Sequence, residues 1–291
     1  MRATLGGDDT LRLWSSSYLS IAPECRGFHL AAGVFHSAPS PDGFRVDTMT
    51  LETRRLGFAP SLVDYTNAWD LQKQLHEEVL AGQKPSTLLL LEHADVYTAG
   101  KRTEAEDRPK DGTPVVDVDR GGKITWHGRG QLVGYPILHL RDRALVKDYV
   151  CTLEAVIMKV LSEDYGITSS RVEGRSGVWI TGGAQDKKIA AVGIRVHKSV
   201  TMHGFALNCS NELDPFENII ACGIRDAGTT SITAELGRTV TPADVVDRIE
   251  AELAAALPSY IYSGEQPPSS SDDEPLLTAC SISQPKEGVL K

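Results

Sequence analysis

Lys188-Ile189-Ala190-Ala191-Val192-Gly193-Ile194-Arg195-Val196, then His197-Lys198-Ser199, then Val200-Thr201-Met202-His203-Gly204-Phe205-Ala206-Leu207-Asn208: this stretch decides the fold. Apolar side chains recur at alternate positions on both sides of a short polar connection, as in two antiparallel strands joined as a hairpin. Alternation puts Lys188 in one row with Ala190, Val192, Ile194 and Val196. In the partner strand it puts His203, Phe205 and Leu207 on one face and Met202, Gly204, Ala206 and Asn208 on the other. Ala190, Ala191, Gly193, Gly204 and Ala206 are small and leave room beside the sheet.

Outward from the hairpin, 177–180 reads as a strand ended by the turn Thr181-Gly182-Gly183, and 87–91, 115–119 and 132–138 read as further strands. Asp64 is placed to cap a helix in which Tyr65, Ala68, Trp69, Leu75 and Val79 recur at three and four, ended by Gly82. A second helix over 148–162 carries Leu153, Val156, Ile157, Val160 and Leu161 on one side. Thr241 caps a last one, with Pro242 at its first position, running to Leu257 and stopped by Pro258. Helices and strands do not alternate strictly. The expected class is therefore α/β of the α+β type, a mixed β-sheet with flanking helices, and not a doubly wound parallel sheet.

The folded domain is expected over 50–262. Residues 1–49 read as a largely disordered extension in which Arg2, Arg12 and Arg26 among Ser and Ala loosely resemble an organelle-targeting peptide, with Asp8 and Asp9 against it. Residues 263–291, with Pro267-Pro268-Ser269-Ser270-Ser271-Asp272-Asp273, read as a disordered polar tail. The net charge of -9 argues against nucleic acid as a partner. No run of about 18 apolar residues occurs, so no membrane-spanning helix is expected. The five cysteines include no C-x-x-C pair, which suggests neither a disulfide framework nor a zinc ribbon and fits a reducing compartment.

Three segments carry chemistry. The first is Arg120-Gly121-Gly122-Lys123-Ile124-Thr125-Trp126-His127-Gly128-Arg129-Gly130-Gln131, where glycines allow backbone N–H groups to approach a ligand and Arg120, His127 and Gln131 offer polar contacts. The same residues would also serve a glycine-rich hairpin with solvated charges, and they match no nucleotide-binding fingerprint. The second is Lys188 at the head of an apolar row. A lysine removed from water favours its neutral form and can deprotonate a thiol or an amine, while one at a strand end can instead reach back to solvent. The third is Ala221-Cys222-Gly223-Ile224-Arg225, a loop in which a thiol stands between small residues and next to a cation. Such surroundings favour a nucleophilic thiolate, although buried inert cysteines are the commoner case. His203, beside Phe205 and Leu207, fits a structural histidine as well as a catalytic one.

In this order and spacing, RGGKITWHGRGQLVGYP (120–136), KIAAVGIRV (188–196), TMHGFALNC (201–209) and ACGIRDAGTTS (221–231) closely resemble the lipoyl(octanoyl) transferase family. LLLLEHADVYTAGKR (88–102) extends the similarity, which covers about 56–257. The resemblance implies the fold of the biotin and lipoate protein ligase catalytic domains. It implies transfer of octanoyl from octanoyl-acyl carrier protein to a lysine on lipoyl domains of 2-oxoacid dehydrogenases or on the glycine cleavage H protein, without cofactor or metal. By motif, Cys222 corresponds to the family's acyl-thioester nucleophile and Lys188 to the lysine that assists it. Arg120, Gly121, Gly122, Lys123, Ile124, Thr125, Trp126 and His127, then Ala191, Val192 and Gly193, then Gly204, Phe205 and Ala206, fall on its substrate-binding segments. Ala221 departs from the pattern, where many relatives have proline. In a eukaryotic member the N-terminal extension would address the mitochondrion, the alternative being the cytoplasm. The rival activities are an ATP-dependent lipoate ligase of the same fold and a zinc hydrolase using His127, His203 and Cys222, whose spacing lacks H-x-x-x-H or C-x-x-C.

Overall fold

The computed structural model describes residues 50–110, 112–224 and 226–264, so the expected extension, nearly all of the expected tail and Arg225 lie outside the described residues. In chain order the elements are β1 (Leu51–Gly57), α1 (Tyr65–Leu80), β2 (Ser86–Leu91), β3 (Val96–Ala99), β4 (Val115–Asp117), β5 (Thr125–His127), β6 (Gln131–Ile137), α2 (Val146–Tyr165), β7 (Ser170–Val172), β8 (Arg175–Ile180), β9 (Lys187–His197), β10 (Val200–Asn208), β11 (Gly228–Thr229), α3 (Ile232–Leu236) and α4 (Pro242–Ala256). The main sheet runs β1-β2-β6-β10-β9-β8-β7, with β11 added beside β9. β1 lies parallel to β2 and β11 parallel to β9, while the other neighbours are antiparallel, so the sheet is mixed as expected. A small sheet, β4-β3-β5, stands apart from it.

The two faces of the main sheet are covered unequally, and that difference makes the site. One face is sealed along its length by α2 and α4, with Leu153, Ile157, Val160, Val246, Ile249 and Leu253 packed on Leu88, Leu132, Val192, Phe205 and Leu207. On the other face α1 packs Ala68, Leu75 and Val79 against Leu89, Leu91, Val133 and Ile137. α1 also reaches β10, where Ala206 joins the same cluster, and over β9 that second face meets the glycine-rich loop, whose Gly121 N–H donates to the Ile194 carbonyl at 2.9 Å.

β9 and β10 form the expected hairpin, but His197, read as part of the connection, pairs with Val200, which leaves Lys198 and Ser199 as the turn; further along, Gly204 lies opposite Gly193. Two of its side chains break the alternation. Against β8, Val178 pairs with Ala190 but Trp179 pairs with Lys188, so β9 carries one extra residue, a β-bulge at Ile189. Ile189 and Ala190 both join the α2 side of the core, and Lys188 is turned to the opposite face, into the row of Ala191 and Gly193. The expectation that Lys188 shares a row with Ala190 and Val192 is thus corrected. His203 has φ 59, and its ring lies beside Tyr135 and Asp119 and not with Phe205 and Leu207 as alternation requires. The reason is Pro136 in β6, which has no N–H for the ladder. There Thr201 Oγ1 bridges the Pro136 carbonyl and the Leu138 N–H, and the His203 N–H goes to Gln72 Oε1 at 2.8 Å.

Candidate active site

Cys222 is held in a tight turn. Its N–H donates to the Ile124 carbonyl at 2.9 Å, and the Ile224 N–H closes the turn on the Ala221 carbonyl at 3.1 Å. Cys222 (φ 57) and Gly223 (φ 70) both occupy the left-handed region. A non-glycine residue there is strained, and such residues concentrate at functional sites. The left-handed backbone at Gly223 favours glycine there, and a Cβ would also press on the Lys123 side chain. Among the described residues Cys209 and Cys222 are free thiols. Cys209 is fully buried, and burial pushes its thiol far up, whereas Cys222 is half-buried.

Lys188 and Cys222 line the same cavity of about 230 Å³, roofed by the glycine-rich loop and floored by β9 and β10. A second cavity of about 30 Å³ continues past them toward Trp179 and Phe216, and both residues also line it. Lys188 is buried, with Nζ 4.6 Å from the Trp179 ring centroid. Behind it, Glu154 of α2 accepts the Gly177 N–H at 2.7 Å and Arg171 Nε at 2.9 Å, bracing β8 next to the bulge.

Of the residues assigned to substrate binding from sequence, Arg120, Gly121, Gly122, Lys123, Thr125, His127, Ala191, Val192, Gly193, Gly204, Phe205 and Ala206 line the main cavity. Ile124 and Trp126 do not. β5 alternates, so while Thr125 and His127 face the cavity, Ile124 and Trp126 pack with Tyr97 and Ile219, and Trp126 meets Phe216 edge-on at 5.6 Å. The cationic heads are tied up within the loop and its surroundings. Arg120 donates to the Thr98 carbonyl and Oγ1 at 2.8 and 2.9 Å, to the Lys123 carbonyl at 2.8 Å and to the Gly121 carbonyl at 3.0 Å. Lys123 pairs with Glu104 at 2.8 Å and Asp107 at 3.0 Å.

The remaining wall is a polar cluster that sequence reasoning only partly found. His127 stacks on Tyr65 at 5.9 Å and its Nδ1 lies 2.8 Å from Gln131 Oε1. Burial, with His93 and Arg120 nearby, pushes His127 down to about 3, so its ring is neutral. His203 Nε2 is 3.0 Å from Asp119 Oδ1, and Arg195 holds the other oxygen of Asp119 at 2.5 Å. Burial lowers His203 despite that carboxylate. For Asp119 burial works upward, but the His203 hydrogen bond and the charges of His203 and Arg195 outweigh it and keep it low. Tyr65, read only as an apolar position, and Tyr135 line the cavity too, and burial raises both hydroxyls. The zinc arrangement expected as a rival has little to stand on. Among the described residues no group of three His, Cys, Asp or Glu is placed to hold a metal.

The model of the lipoyl protein ligase A/B catalytic domain matches residues 64–254, which contain every residue of this cavity. Octanoyltransferase of Arthrobacter sp. (strain FB24) is 58% identical over 207 residues, covering 70% of this chain and 93% of the relative. That of Leifsonia xyli is 61% identical over 203 residues, covering 69% and 90%. The chain belongs to the octanoyltransferase family. As an octanoyltransferase-family member it is an acyltransferase of lipoate metabolism. Its fold is that of the lipoate protein ligases: the bipartite lipoate protein ligase of Thermoplasma acidophilum superposes with a TM-score of 0.53 at 17% identity, covering 71% of this chain and 84% of that one. These octanoyltransferase relatives are bacterial and lend no support to the expected mitochondrial address. No helix among the described residues is long and apolar enough to cross a membrane.

Proposed function

We propose that the enzyme takes octanoyl from the phosphopantetheine thioester of acyl carrier protein onto the Cys222 thiol and then passes it to a lysine of a lipoyl domain. The acceptors are lipoyl domains of 2-oxoacid dehydrogenases and the glycine cleavage H protein. Lys188 takes the thiol proton, the thiolate attacks the donor thioester, and the donor thiol leaves with a proton. The acceptor amine then displaces Cys222, forming an amide.

One observation carries this reading. Cys222 and Lys188, more than thirty positions apart, are each turned against the local backbone preference, by a positive φ and by a β-bulge, into the same cavity. The first step exchanges one thioester for another, and the second gains from amide stability, so no ATP is needed. Burying about six methylenes at roughly 0.8 kcal/mol each contributes on the order of 5 kcal/mol toward holding the chain. Ala191 and Ala206 line the cavity with small side chains that leave space for it.

The test is transfer from octanoyl carrier to an apo lipoyl domain, without ATP, by the parent and by Cys222→Ser. Parent activity with loss in the variant supports the reading. Full activity in Cys222→Ser refutes the nucleophile, and dependence on ATP with free octanoate would replace the transferase with a ligase.

A further inference from the structure

The second half of the reaction needs a group that holds the incoming amine with its lone pair toward the carbonyl carbon on Cys222. A hydrogen-bond chain behind β5 prepares one. Asn208 Nδ2 donates to the Thr230 carbonyl at 2.9 Å, and Gln131 Nε2 donates to Asn208 Oδ1 at 2.9 Å. With both amides oriented, Gln131 Oε1 can only receive a proton from His127 Nδ1, 2.8 Å away. His127 is thereby held as the Nδ1–H tautomer. Its Nε2 keeps a lone pair, with no hydrogen bond among the described residues, on a ring that lines the cavity with Cys222.

The chain is anchored where the reacting pair is anchored. The Thr230 N–H donates to the Lys188 carbonyl at 3.0 Å, and Cys222 hangs from the Ile124 carbonyl, three residues before His127. Three strand residues span roughly 10 Å, and both side chains line the same cavity.

We propose that His127 Nε2 accepts an N–H of the acceptor lysine's neutral amine and aims its lone pair at the octanoyl thioester. This rests on the acyl-Cys222 reading. In the step, the nitrogen lone pair forms the C–N bond and the C–S bond breaks with its electrons to Cys222 Sγ. The proton shed by nitrogen ends on that sulfur, passed through Lys188. The groups facing His127 are Tyr65, His93, Arg120 and His203. The buried Arg120 guanidinium disfavours an ammonium there, so the neutral amine is the form received, and the His127 ring, unprotonated through burial, accepts a hydrogen bond without taking the proton.

The full chain is loaded from octanoyl carrier, apo lipoyl domain is added, and the Cys222 adduct is followed by intact mass in a single turnover. His127→Asn keeps an N–H for Gln131 and removes the acceptor at Nε2, whereas His127→Gln restores an acceptor near Nε2. The Asn variant is expected to slow unloading roughly ten-fold or more beyond any slowing of its own loading, with part of the unloading rate recovered in the Gln variant. Equal slowing of both halves, unchanged unloading, or an Asn variant that no longer loads would overturn the proposal. Absence of an adduct in the parent would instead sink the acyl-Cys222 reading, and this inference with it. In the unsubstituted protein, ¹⁵N NMR is expected to show a proton on Nδ1 of His127 and none on Nε2, and the reverse refutes the assignment.

Discussion

Replacing Arg120 by lysine separates two accounts of the glycine-rich loop. The guanidinium reaches Thr98 on β3 with one nitrogen and the carbonyls of Gly121 and Lys123 with another, four contacts at 2.8–3.0 Å from a group only 7% exposed. A lysine ammonium is a single point and cannot serve both ends of that fork. Two bonds to a charged donor are lost, at roughly 1.5–3 kcal/mol each, so Arg120→Lys should cost about 4 kcal/mol, a large share of the roughly 5–15 kcal/mol of a folded domain. Urea unfolding reads the loss. Because the loop can open by itself, amide exchange should quicken at Gly121 and Arg102, whose N–H groups donate to Ile194 and Gly122. An Arg120→Lys protein that unfolds within about 0.5 kcal/mol of the parent and shows only a raised KM would refute the clamp and return Arg120 to direct substrate binding.

Acid should weaken the fold through the buried histidines. Burial pushes His127 down to about 3 and His93 down to about 4, whereas unfolded histidine protonates near 6.5. Below that pH the unfolded chain binds protons that the folded one refuses, so stability is complete above about 6.5 and is lost as pH falls toward the folded values. At pH 5 each histidine costs on the order of 2 kcal/mol, and an equal or higher urea midpoint at pH 5 than at pH 7 contradicts the neutral cluster. At Glu154, glutamine sets an amide N–H against one of two donors, Gly177 N–H or Arg171 Nε–H. Glu154→Gln is expected to lose roughly 1–3 kcal/mol of stability together with transfer rate as the bulge beneath Lys188 loosens. Unchanged transfer at that reduced stability would show that Glu154 does not help aim Lys188.

The hairpin, the three long helices and the mixed sheet were legible because their apolar periods are long and locally consistent. What escaped were β1, where Glu52, Arg54 and Arg55 interrupt any alternation on an edge strand, and β3, β5 and β7, too short to show a period. Alternation alone places Lys188 in the wrong row. It reaches the cavity only because Ile189 is an extra residue against β8, and a bulge leaves no mark in the β9 sequence itself. Arg120 and Lys123 were legible as cations, but not their engagement within the protein, since their partners on β3 and in the 104–107 segment are brought near by the fold alone. Tyr65 satisfies the apolar pattern of α1, which hides its second role in the cavity wall.

The central claim is a covalent octanoyl on Cys222. Incubating the protein with octanoyl carrier and measuring intact mass should give one hydroxylamine-sensitive octanoyl per chain, mapped to Cys222 and discharged in step with modification of an added apo lipoyl domain. Transfer that proceeds with no adduct on Cys222, or an adduct that survives in Cys222→Ser on another residue, would contradict it.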